Sequence, residues 1–179
     1  MEVPPRLQEV CDQLRESVGA EQCYVIDVDE RQDGDLLGTV IFGLRKATAP
    51  TLSVRQHAMK LLRDATSQSI GAEIFTEPLD EIEYLFDKYL RAYIASHDGV
   101  VTPVRVDEHI RRLWVHFDGG CSGCPASVAT LKHGIERTLK KHLPWIERVE
   151  AVNEAVEPDF GIKLDLSAGL VTSATLKEK

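Results

Sequence analysis

Arg112-Leu113-Trp114-Val115-His116-Phe117-Asp118-Gly119-Gly120-Cys121-Ser122-Gly123-Cys124-Pro125 is the stretch on which the fold turns. Leu113, Val115 and Phe117 alternate with Trp114, His116 and Asp118, the period of a strand with one buried face. Beyond the loop, Val128, Leu131, Ile135, Leu139 and Leu143 recur every three or four residues up to Pro144. That is the period of an amphipathic helix, and Pro125 stands at its start, where a missing N–H does no harm. Strand and helix are joined by a glycine-rich turn that carries two thiols.

Upstream, Val100 to Val106 also alternates, and Asp107-Glu108-His109 supplies the turn of a hairpin with Ile110 to Phe117. Leu79 to Ile94 places Ile82, Leu85, Phe86, Tyr89, Leu90, Tyr93 and Ile94 at helical spacing, with acidic residues crowded at its start where they suit the helix dipole. Trp145 to Val152 reads as a closing strand. The second half is therefore helix, strand, strand, helix, strand.

The first half repeats that order. Leu7, Val10, Leu14 and Val18 form a helical stripe closed by Gly19. Tyr24 to Val28 and Leu37 to Leu44 read as strands of a hairpin, joined by the polar loop Asp29 to Asp35 with its Asp33-Gly34 turn signal. Ser53 to Ser69 is helical through Val54, Ala58, Leu61, Leu62 and Ala65, and Ala72 to Phe75 is a short strand. The fold class expected is α+β, as two small α-β-β-α-β modules. Laid over each other, Phe42 falls on Phe117 and Pro50 on Pro125, while Lys46 and Ala49 take the positions of Cys121 and Cys124. Two origins fit: a duplication whose first copy lacks the two ligand cysteines, or two unrelated units sharing a common order. The division expected is 1–77, 78–156 and a tail, 157–179, in which Phe160, Ile162, Leu164 and Leu166 alternate as an edge strand or loose end.

The chain has 179 residues, 43% hydrophobic and 28% charged, an ordinary globular composition that needs no disulfide staples. Met1 to Pro5 holds no apolar leader and no run approaches eighteen apolar residues, so a cytoplasmic protein with reduced thiols is expected, with no membrane partner. A formal net charge of −8 disfavours phosphate backbones and excludes nucleic acid from the expected partners.

A helix N-terminus offers free N–H groups and the positive end of a dipole, and both favour thiolate over thiol. Cys121 and Cys124 are thus suited to a metal centre. Zinc and iron–sulfur clusters normally take four protein ligands, and one chain brings two. Cys11 and Cys23 read as packed, partly buried thiols on separate elements. The simplest way to complete the set is a second copy of the chain, each giving one Cys-x-x-Cys across a twofold axis. His57, His109 and His116 lack metal-ligand spacing to one another, and Trp114 and Trp145 read as residues of the core or its border. Lys132, His133, Arg137, Lys140, Lys141 and His142 make the last helix basic, which suits a solvated face, a counter-charge to a cluster or a dock for an acidic partner. A lone Cys-x-x-Cys also serves zinc ribbons and thioredoxin-like sites. A ribbon needs a second pair in the chain, and a thioredoxin-like site follows a βαβ crossover rather than a hairpin. Gly120-Cys121-Ser122-Gly123 further has the form of a KH-type Gly-x-x-Gly loop, but the acidity of the chain and the absence of a basic residue within it weigh against RNA.

From about Leu79 to Val152 the chain resembles the NifU C-terminal domain of Nfu-type proteins. The resemblance rests on His97-Asp98-Gly99, Leu113-Trp114-Val115, Gly120-Cys121-Ser122-Gly123-Cys124-Pro125, Thr130-Leu131-Lys132, Gly134-Ile135-Glu136 and Leu143-Pro144. It departs from the family where a Gly-Gly-Asp run is common and Asp98-Gly99-Val100 stands instead, and the first half is unlike the A-type domain found in some carriers. What the resemblance implies is a non-enzymatic scaffold or carrier of iron–sulfur cluster assembly. Cys121 and Cys124 of two subunits would bridge a [4Fe–4S] cluster, with [2Fe–2S] the other form, received from donor proteins and handed to recipient apo-proteins. The competing enzyme-class reading is a dithiol–disulfide redox protein using the same pair.

Overall fold

A computed structural model describes residues 3–29, 38–48, 50–119 and 125–152. Helix α1 (Pro5–Val18) starts behind Pro4 and stops at Gly19, whose left-handed φ of 63° turns its N–H back to the carbonyls of Arg15 and Glu16. Strands β1 (Gln22–Val28) and β2 (Thr39–Arg45) pair antiparallel as the hairpin expected from the sequence; most of its connecting loop lies outside the described residues. Helix α2 (Thr51–Thr66) begins after Pro50 and ends at Ser67, also left-handed, and β3 (Gly71–Phe75) returns parallel to β2.

The second half opens with α3 (Pro78–Leu85), one π-helical turn (Phe86–Leu90) and α4 (Arg91–Ala95), where the sequence pattern reads as a single regular helix. The difference has its cause in a contact far away in the sequence. Tyr84 and Tyr89 are five residues apart, yet both hydroxyls donate to the Asp27 carboxylate, at 2.9 and 2.8 Å, and Lys88 Nζ donates to it at 2.7 Å. A wider π turn brings positions i and i+5 onto one face, which a 3.6-residue turn does not. Strands β4 (Gly99–Asp107) and β5 (Arg112–Gly119) form the second hairpin, whose turn is set by Asp107 Oδ1 accepting from the N–H groups of His109 and Ile110. Helix α5 (Pro125–His142) and β6 (Arg148–Val152) close the described fold, with β6 parallel to β5. The closing strand is shorter than its sequence pattern, because Trp145 is buried in the turn before it. The tail, from 153 onward, lies outside the described residues.

The architecture is mixed α+β with two three-stranded sheets, ordered β1-β2-β3 and β4-β5-β6. Each has an antiparallel pair with a register shift, followed by a parallel third strand. The sheets differ in what covers them. One face of the first sheet (Val25, Val40, Phe42, Leu44) packs on α1 and α2. Ile26 and Ile41 on its other face share a core with α3 to α5 and with Leu113, Val115, Phe117 and Val149 of the second sheet. Helices α3 to α5 therefore form a layer between two sheets. This explains why β2 reads as a continuous apolar run, as a strand buried on both faces does, while β5 alternates. The outer face of β5 is polar, and its half-buried Trp114 lies under the guanidinium of Arg105, 4.0 Å from the ring centre.

Candidate metal centre

Strand β5 delivers the chain to the cysteine loop at Gly119, and α5 takes it up again at Pro125. Gly119 is held at φ 74°, and a Cβ there would stand 2.8 Å from the carbonyl oxygen of Asp98, so only glycine fits. Asp98 is itself left-handed at φ 52°, and Gly99 pairs with Gly119 in the ladder. The Asp98-Gly99 step thus packs directly against Gly119, the last described residue of β5. On the strand leading in, His116 Nε2 lies 3.0 Å from Asp118 Oδ1 and Nδ1 lies 3.3 Å from the Val152 carbonyl oxygen, which ties β5 to the end of β6.

Cys121 and Cys124 themselves lie outside the described residues. Their anchors do not: five residues span a strand end and the first turn of an eighteen-residue helix. The N–H groups of that turn have no partner within the helix, and the dipole places its positive end there. The sequence between these anchors supplies two thiols, donors of the type that soft metals take. Among the described residues no group of three His, Cys, Asp or Glu side chains is arranged to hold a metal.

Cys11 and Cys23 are closer than a reading of separate elements suggests. Cys11 is buried on α1, Cys23 is partly buried on β1, and their thiols share a hydrogen bond. That bond, together with burial, raises the Cys23 pKa far above the ordinary thiol range and keeps it protonated at neutral pH. Both belong to the core between α1 and the first sheet, so that sheet separates them from α5. The thiol, unlike the thiolate, is a poor metal ligand.

The second assembly of functional-group side chains joins the two halves and carries no sequence signature. Glu81, which reads as a dipole partner at a helix start, is wholly buried. It accepts from Arg45 Nη1 and Nη2 at 2.8 Å each, from Tyr24 and from Trp145 Nε1 at 3.1 Å. Burial raises its carboxyl, and these donors pull it only part of the way back. Asp27 is the converse case: burial raises its carboxyl, but Lys88, Tyr89 and Tyr84 together hold it below the usual range. His142 approaches the same place, its Nδ1 donating to the Ile26 carbonyl at 2.8 Å while its ring stacks on Tyr89. One member of the basic run on α5 is therefore an interior residue.

Residues 82–150 match the family model described as "NifU-like domain". The chain is 38% identical over 73 residues to "Fe/S biogenesis protein NfuA" of Acinetobacter baumannii, covering 39% of this chain and 34% of that protein. Proteins of the same name from Ruthia magnifica and Pseudomonas savastanoi are 35% identical over 83 residues and 36% over 85, each covering 46% of this chain and 43% of its relative. The chain thus spans between a third and a half of the curated relatives it matches.

Proposed function

We propose that this chain is a non-enzymatic scaffold or carrier of iron–sulfur cluster assembly. A [4Fe–4S] cluster, or a [2Fe–2S] cluster, is held between two subunits by Cys121 and Cys124 of each and is passed to recipient apo-proteins. One observation carries the reading: Cys-x-x-Cys joins β5 to the start of α5 inside the NifU-like stretch. The relatives' printed names, which speak of Fe/S biogenesis, support it.

The chemistry asks little of the chain beyond this junction. Four thiolates make an anionic cluster, which the N–H groups at the head of α5 favour. Transfer is ligand exchange, in which each incoming thiolate displaces one of the chain's own and no net oxidation is needed. The first half, 1–77, fits a copy of the same module without ligands, since both sheets share strand order and pairing and Lys46 and Ala49 replace the thiols. The cluster-binding domain would then run from 78 to 156, with 157–179 as a tail. A cytoplasmic homodimer served by cluster donors completes the proposal.

Anaerobic reconstitution with iron and sulfide, followed by Mössbauer spectroscopy and native mass measurement, tests it. The expected result is a brown dimer with about four irons. A monomer carrying a complete cluster would overturn the shared site. A colourless protein that resists reconstitution yet reduces disulfides would favour the dithiol–disulfide reading.

A further inference from the structure

Helices α4 and α5 enclose an open groove of about 770 Å³ lined by Tyr93, His133, Gly134, Arg137, Lys140 and Lys141, with Thr130 and Glu136 completing its walls. It runs down the helix that begins at the cysteine loop. A Cβ at Gly134 would lie 3.2 Å from the Tyr93 ring, so the bare glycine lets that ring lie against α5 and form an apolar wall. The opposite wall is cationic. Glu136, the one acidic lining residue, is engaged by Lys140 Nζ at 2.6 Å and by the Val149 N–H at 3.2 Å. Burial raises the Glu136 carboxyl, but those two donors hold it below the ordinary range. The pair cancels in charge, which leaves Arg137, exposed and with no carboxylate partner among the described residues, as an uncompensated cation of the groove.

We propose that this groove is a docking site for an acidic polypeptide segment of a partner protein. A positive groove on a chain of net charge −8 draws a short acidic segment to one place and repels it elsewhere. The same net charge opposes a long phosphate polyanion, which must lie across a wide surface. Carboxylates fit the planar guanidinium of Arg137, and the Tyr93 ring accepts the aliphatic part of the segment. That the segment belongs to a cluster donor or recipient rests on the function proposed above; the binding itself does not.

The test uses the full chain, metal-free, with a fluorescein-labelled poly-glutamate peptide followed by anisotropy at low salt. Wild type should bind, and added salt should release the peptide. Arg137→Glu with Lys141→Glu should weaken binding at least about tenfold, and Arg137→Gln by a smaller factor. Lys60→Glu with Arg63→Glu, the same charge change on exposed positions of α2, should leave affinity within about twofold. Equal loss in both double variants would reduce the effect to net charge and overturn the site. So would no binding by wild type, or tighter binding of single-stranded DNA than of peptide. Reconstituted iron content should be unchanged in the groove variant. Failure of cluster loading in wild type would sink the carrier reading while leaving the docking result standing.

Discussion

Arg45 on β2 and Glu81 on α3 form a bidentate ion pair, two parallel contacts of 2.8 Å with the carboxylate wholly buried. Glu108, from the β4–β5 turn, closes on Arg45 Nε at 2.6 Å, and Trp145 donates to the far side of Glu81. One guanidinium of the first sheet is thereby tied to three elements of the NifU-like half. Such a pair yields little net stability over an apolar core of the same shape, but it is costly to break from one side. Glu81→Gln should cost about 3 kcal/mol, because Arg45 stays buried with only Glu108 to balance it. Urea unfolding followed by tryptophan fluorescence measures this, and a loss within experimental error would show that water reaches Arg45.

The Asp27 cluster predicts a pH dependence with a definite sign. The carboxyl titrates lower in the folded chain than in the unfolded one, so the unfolded state takes up its proton first as the medium is acidified. The stability Asp27 contributes is complete above the ordinary carboxylate range and is lost as pH falls below about 5. Glu136, also held low, adds a share of the same sign. The Asp27→Asn variant should therefore lose less stability than wild type between neutral and acid pH, though not none. Unfolding free energies taken across that range decide it; parallel curves for the two proteins would refute the assignment.

Gly43 faces Tyr24 and Glu81 at the centre of this interface. A Cβ there would sit 2.4 Å from the Tyr24 ring and 2.5 Å from Glu81 Oε1. Neither neighbour can retreat, since the tyrosine hydroxyl donates to the carboxylate at 2.8 Å and Arg45 holds the other side. Gly43→Ala should cost about 2 kcal/mol by overpacking. Combined with Tyr24→Leu it should cost less than the two changes summed, a coupling read from a double-mutant cycle.

How much of this the sequence discloses depends on the range of the interaction. Helical and strand periods are set by neighbours within a few residues, so the stripe of α5 and the alternation of β5 were legible, as was the stop at Gly19. The π turn was not, because Tyr84, Lys88 and Tyr89 converge on Asp27, about sixty residues earlier in the chain. Strand β2 reads in the sequence only as one arm of a hairpin, and its burial on both faces comes from the helix layer of the other half, which no local pattern reveals. Glu81 carries the composition of a solvated helix start, and nothing local distinguishes it from Asp80. The cysteine pair is proposed as ligands from its spacing, its flanking glycines and the elements on either side, and it lies outside the described residues.

The four cysteines should separate into two classes by reactivity as well as by iron. At neutral pH a thiol reacts, or ligates, in proportion to its thiolate fraction. The Cys11 hydrogen bond and burial hold Cys23 protonated, and Cys11 is fully enclosed in the core, so both should react slowly with iodoacetamide in the native chain. Cys121 and Cys124, which precede the start of α5 in sequence, where a helix dipole favours thiolate, should react fast. Cys121→Ser or Cys124→Ser should abolish stable iron binding while shifting the unfolding free energy of the metal-free chain by no more than about 0.5 kcal/mol. Cys11→Ala should show the reverse, full iron content with a stability loss of about 1 kcal/mol from the cavity it opens. Iron analysis of the anaerobically reconstituted variants, set beside timed alkylation and mass measurement, checks both halves. Iron loss from a Cys23→Ala variant equal to that of Cys121→Ser would place a ligand on β1 and remove the need for a second subunit.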